Sequence, residues 1–144
     1  TDTGQLKGKV SYMAPEQLLG QPLDRRVDVF SAGVVLWEAL AGQRLFTAKN
    51  AAEAMYQVLE DDIPPLTEIA PEVPATLAAV VARATAKERS QRFATALELA
   101  AALEASVELI PNHVVGRWVL DVGGDVLLPR RERVRAIEAI AIPS

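Results

Sequence analysis

Few side chains in this sequence could do chemistry on their own. His113 is the sole histidine and there is no cysteine, which excludes a disulfide, a thiolate nucleophile and a metal site built from several histidines. Asp121 and Asp125 flank Gly123-Gly124, a spacing that invites a metal loop, but two acids around two glycines read as a plain turn. Asp28 is more pointed. It opens an otherwise apolar stretch, where a carboxylate is costly unless its oxygens accept hydrogen bonds; an acid there also complements a helix dipole. Glu16 and Arg92 carry opposite charges, and from the residues alone they read equally well as solvated surface groups.

The elements that must position these residues read as all-α. Residues 1–13 read as an extended loop hinged at Gly4 and Gly8, and Pro15 suits the first turn of a short helix over 14–19. Asp24 is a candidate N-cap for a helix over 25–40 that is apolar on nearly every side, which predicts burial all round. Gly42 stops it. Asn50 with Glu53 has capping-box spacing and opens a helix through Leu59, whereas the two prolines in 61–66 exclude a helix there. Pro74 opens a helix over 75–85, and Thr95 with Glu98 opens another that carries Leu97, Leu99 and Leu103. Beyond Pro111 the texture changes. His113 and Trp118 read as docking residues of a tail, Gly123-Gly124 as a turn, and 128–140 as a basic amphipathic helix with Leu128, Val134, Ile137 and Ile140 near one face.

The chain has 144 residues, about one domain's worth. Half of them are hydrophobic and 24% are charged, which is a globular composition. The net charge of −4 argues against an electrostatic nucleic-acid partner. No apolar run approaches the roughly 20 residues needed to cross a bilayer, so no membrane contact is expected from this segment. The sequence opens at Thr1 in a polar, turn-prone stretch without a signal segment, which suggests a cut through a larger cytoplasmic protein, or through the cytoplasmic part of a membrane-anchored one.

Gly8-Lys9-Val10-Ser11-Tyr12-Met13-Ala14-Pro15-Glu16-Gln17 resembles the end of the activation segment of bacterial eukaryotic-like serine/threonine protein kinases. Asp28-Val-Phe-Ser-Ala-Gly33-Val-Val-Leu-Trp-Glu38 is similar to the family's D-x-W/F-S-x-G-V-x-L-W/Y-E helix. Gly42 and Leu45-Phe46 resemble the segment that closes that helix, and Arg92-Phe93 resembles the end of the family's D-P-x-x-R-F turn. The order and spacing of these landmarks carry the resemblance. It covers residues 1 to about 105 and implies the back half of the large helical lobe of a protein kinase-like fold. Residues 106–144 form a short helical extension, in which 112–144 resemble the tail that follows myxobacterial-type kinase domains.

The resemblance implies roles for individual residues. Glu16 and Arg92 become a buried ion pair tying the Ala-Pro-Glu helix to the base of the lobe, and Asp28 an anchor for the catalytic loop. Gly8, Lys9, Ser11 and Tyr12 belong to the loop that faces the protein substrate. Thr1 and Thr3 fall where such kinases carry activating phosphothreonines. Lys9 departs from the family, many of whose members have a threonine there that contacts the catalytic aspartate. Arg89 stands where the turn usually has proline.

No catalytic residue is expected within the chain. Phosphoryl transfer needs a Gly-rich loop, a strand lysine, a catalytic-loop aspartate and a metal-binding Asp-Phe-Gly, and none of these is in the sequence. ATP and Mg²⁺ are therefore expected for a full-length parent and not for this chain alone, with protein substrates and the rest of its own kinase domain as partners. The alternative is a non-catalytic, kinase-derived interaction module. Either way, the helix over 25–40 lacks upstream partners and should leave one apolar face exposed.

Overall fold

The computed structural model describes residues 8–108 and 110–141; Thr1 and Thr3 lie outside them, as does the side chain of Ile140. All regular structure among the described residues is helical, as expected of this part of a kinase lobe. In chain order the helices are α1 (Pro15–Leu18), α2 (Arg26–Ala41), α3 (Ala51–Glu60), α4 (Leu66–Ile69), α5 (Ala75–Ala84), a 3₁₀ turn (Arg89–Gln91), α6 (Ala96–Ser106) and α7 (Asn112–Ala141). The chain divides into two compact units, 1–108 and 109–144.

In the first unit α2 is the hub. Asp24 Oδ1 accepts from Arg26 N at 2.8 Å to start it, and Gly42 ends it in the left-handed region at φ 65°. Phe30 and Val34 pack with Ala14, Phe46 and Val58, which fastens α1 and α3 to one side. Trp37 packs with Leu66, Ala70, Val73 and Val81, and Val29 with Ala84, Phe93 and Leu99. Gly33 allows the closest approach: a Cβ there would lie 2.8 Å from Thr85 Cγ2 and 2.9 Å from Ala84 Cβ. Burial is nevertheless not complete. Val35 is 54% exposed, and Asp28, Val35 and Ala39 are all solvent-facing at a spacing that puts them on one side of α2.

Two local expectations change here. Residues 8–10 are helical rather than extended, and the chain coils on with Met13 N bonded to Val10 O at 3.0 Å. Coiling buries Val10 against Ala48 and Ala54, which an extended loop could not do. Leu66, the last residue of the Pro-rich stretch, begins α4 because Pro65 precedes the first turn and Leu66 is buried against Trp37.

The second unit is the single long helix α7. The turn expected at Gly123-Gly124 is absent, and Asp121 and Asp125 sit on continuous helix. Two helical glycines cost roughly 2 kcal/mol, but Leu127 and Leu128 close over the spaces they leave, at 3.5 and 3.9 Å from the ideal Cβ positions. Helix also continues through Pro129. Trp118 and His113 are exposed on this helix, which has no second element in its own unit to bury them.

Candidate functional site

Glu16 and Arg92 are brought together in the interior. Glu16 rides on α1, whose first residue is Pro15 and whose Gln17 Oε1 accepts from Ala14 N at 2.8 Å. Arg92 follows the 3₁₀ turn, whose start is capped by Glu88 accepting from Ser90 N at 3.2 Å. Arg92 Nη1 donates to Glu16 Oε1 at 2.7 Å, and Nη2 donates to Oε2 at 2.9 Å, the bidentate fork that a guanidinium offers a carboxylate. Its remaining donors reach Ala86 O at 2.6 Å, Lys87 O at 2.9 Å and Arg26 O at 3.3 Å. Every guanidinium N–H therefore has an acceptor, and the group stacks 4.9 Å over the Phe30 ring. Burial alone pushes the Glu16 carboxyl up, but the bonds from Arg92 and from backbone N–H outweigh it and hold the pKa below its ordinary 4.5.

A second polar cluster escaped the sequence reading. Tyr12 Oη donates to Glu38 Oε2 at 2.7 Å, Arg44 bonds the same hydroxyl, and Glu38 Oε1 accepts from Leu45 N at 3.1 Å. Ser31 Oγ donates to Tyr12 O at 2.7 Å, so the loop residue is held to α2 by both backbone and side chain. Donation to Glu38, burial and the nearby negative charge raise the Tyr12 pKa above 10.0. Glu38 could have been found from the sequence, because it is an acid near the end of an otherwise apolar helix, the same signal that drew attention to Asp28.

The other expected residues do not converge. Gly8 and Lys9 are exposed and Ser11 is 5% exposed. Asp28 sits in the first turn of α2 and is exposed, and no hydrogen bond or ion pair joins it to Tyr12, Glu16 or Arg92 among the described residues. What the arrangement does chemically is fix geometry. Two polar clamps hold residues 12–16 onto α2 and the Arg92 turn. No cluster of three potential metal-ligating side chains occurs among the described residues, and the sequence has no glycine-rich phosphate-cradling motif.

Comparison with known proteins agrees with this geometry. The family model described as the protein kinase domain matches residues 2–103. The tyrosine-protein kinase MasK of Myxococcus xanthus is 37% identical over 123 residues, covering 85% of this chain and 19% of MasK. The serine/threonine-protein kinase PknL of Mycobacterium tuberculosis is 38% identical over 108 residues, covering 75% of this chain and 27% of PknL. The serine/threonine-protein kinase PknB of the same species is 41% identical over 104 residues, covering 72% of this chain and 16% of PknB. The chain thus spans about a quarter or less of each relative. Among solved structures, the twitchin kinase region of C. elegans superposes with a TM-score of 0.59 at 23% identity, over 73% of this chain and 18% of that one, which is a likeness of fold. A matched model over most of the chain, bacterial relatives and the helical hub with its Glu16–Arg92 clamp place this chain in the protein kinase family, among the eukaryotic-like kinases of bacteria.

Proposed function

We propose that this chain is the C-terminal part of a serine/threonine protein kinase that transfers the γ-phosphate of ATP to hydroxyls of protein substrates. Residues 1–105 are its share of the kinase domain and 106–144 a helical extension. The observation that carries the reading is the clamp of Glu16 by Arg92, which fixes the Ala-Pro-Glu turn and the loop before it as a rigid platform. Gly8, Lys9, Ser11 and Tyr12 belong to the side of that platform that meets the substrate peptide. Asp28, Val35 and Ala39 form the face that receives the rest of the domain, with Asp28 as acceptor for catalytic-loop backbone N–H groups. Thr1 and Thr3 are the sites where phosphorylation activates the parent.

ATP and Mg²⁺ are held by the parent upstream of Thr1, so the chain alone transfers nothing. The parent acts in the cytoplasm or on the cytoplasmic side of a membrane; among the described residues no helix is long and apolar enough to cross one. The test is a phosphotransfer assay on the full-length parent and on the 144-residue chain, followed by phosphoamino-acid analysis. Phosphoserine or phosphothreonine from the parent alone is expected. Phosphotyrosine would move the substrate class toward the activity named for MasK. An inactive parent that still binds protein partners would make the chain a kinase-derived interaction module.

A further inference from the structure

We propose that the cavity between the end of α2, the 62–66 segment and α5 binds a small molecule that joins an apolar body to a carboxylate, and that Lys87 takes the carboxylate. The cavity holds about 250 Å³ and is walled by Trp37, Pro64, Leu66, Ala78 and Ala82. Lys87 stands between this cavity and a smaller one lined by Glu16 and Glu88, and its Nζ is buried without a hydrogen-bond acceptor, the only cation so placed among the described residues. A buried ammonium without a partner is costly, and an anion reaching it gains charge-assisted hydrogen bonds to a group already stripped of water.

Nearby acids are otherwise engaged. Glu16 is saturated by Arg92, and Glu88 Oε1 accepts from both Ser90 N and Ser90 Oγ. Asp62 also lines the cavity and makes no ion pair with Lys87, so its charge disfavours an anion beside it while Lys87 favours one. The walls are fixed in advance. Trp37 Nε1 donates to Pro64 O at 2.9 Å, Thr85 Oγ1 donates to Val81 O at 3.0 Å, and Arg92 grips the carbonyls of Ala86 and Lys87. With one cation and one acid among otherwise mostly apolar walls, a monoanion is the better match; a doubly charged phosphate would leave a charge unpaired beside Asp62.

The experiment is an NMR titration of the whole 144-residue chain with phenylbutyrate, with phenylbutyramide as the neutral isostere and with inorganic phosphate. The indole N–H of Trp37 is the reporter, and that of Trp118 on α7 is the internal control. The expected result is a saturable shift of Trp37 alone, with the amide binding at least about tenfold more weakly than the acid. Lys87→Gln should abolish the preference for the acid. Ala82→Leu, at an exposed position on the wall, should weaken both ligands while the melting temperature holds, so the test stands even where the Lys87 variant does not fold. Equal binding of acid and amide to the unaltered chain overturns the proposal. So does the same Trp37 shift with phosphate, parallel movement of both indoles, or no movement at about 5 mM ligand.

Discussion

Glu16 and Arg92 stand 76 residues apart in sequence and meet through two hydrogen bonds of 2.7 and 2.9 Å, with the arginine 2% and the glutamate 4% exposed. A contact of that sequence separation closes the fold. It joins α1 to the turn between α5 and α6, and its guanidinium lies against the ring of Phe30 near the start of α2. The platform and the base of the lobe therefore share one buried pair.

Removing either partner leaves the other charge buried and alone. Glu16→Ala or Arg92→Ala should destabilise the first unit by about 3–5 kcal/mol in denaturant melts. Arg92→Lys should recover little, because an ammonium cannot reach the five acceptors that the guanidinium fork serves. A loss under about 1 kcal/mol in either alanine variant would show the pair to be peripheral.

The clamp also sets an acid limit. Because the folded pKa of Glu16 lies below 4.5, its ionised form is favoured by folding. Its contribution is present in full above about pH 4.5 and is lost as the pH falls through the folded value. Glu16→Gln should flatten that acid limb while leaving the slope near neutrality unchanged, as read from melting temperature against pH.

At the alkaline end Tyr12 behaves in the opposite sense. Its raised pKa means that the phenol stays protonated above pH 10, and what that bond contributes is lost as the pH rises through the folded value. In an ultraviolet titration Tyr12 should ionise above the ordinary value of 10.0, and Tyr12→Phe should remove that late step. Tyr12→Phe should cost roughly 1 kcal/mol by leaving Glu38 one donor short.

Gly33→Ala tests the packing of α2 on α5. A methyl 2.8 Å from Thr85 Cγ2 and 2.9 Å from Ala84 Cβ forces a shift, costing about 1–3 kcal/mol and outweighing the gain in helix propensity. Adding Thr85→Ser removes one of the two clashes and should restore part of the lost melting temperature.

The open face of α2 gives a test that separates stability from function. Val35 is 54% exposed, so Val35→Asp should change the stability of the chain by less than about 0.5 kcal/mol while lowering its binding of a hydrophobic dye. If the proposed docking of the rest of the domain on this face holds, the same substitution in the full-length parent should abolish phosphotransfer. The unaltered chain should associate or bind dye in solution; a monodisperse, dye-free monomer counts against an open apolar face.

Much of the helical pattern was legible because local chemistry marks it. Asn50 Oδ1 accepts from Glu53 N at 2.9 Å and Thr95 Oγ1 from Glu98 N at 3.0 Å, the caps that the spacing predicts. Glu53 and Glu98 reach back one residue further, to Lys49 N and Ala94 N, which sequence spacing does not specify. Gly123-Gly124 misled because turn propensity is a local signal, whereas helix here is sustained by a long run on both sides. The Tyr12–Glu38–Arg44 cluster was missed because its members come from three segments and meet only once α2 is packed. The clamp itself needed the family resemblance, since neither charge advertises its burial.

The most direct test of the central claim is the coding sequence immediately upstream of Thr1. The proposal predicts an in-frame Asp-Phe-Gly roughly 5–20 codons before Thr1, and an H-R-D-x-x-x-x-N about 15–25 codons further back. A start or stop codon close to Thr1, or an upstream frame with those acids replaced, would contradict it and leave this chain a binding platform without a catalytic half.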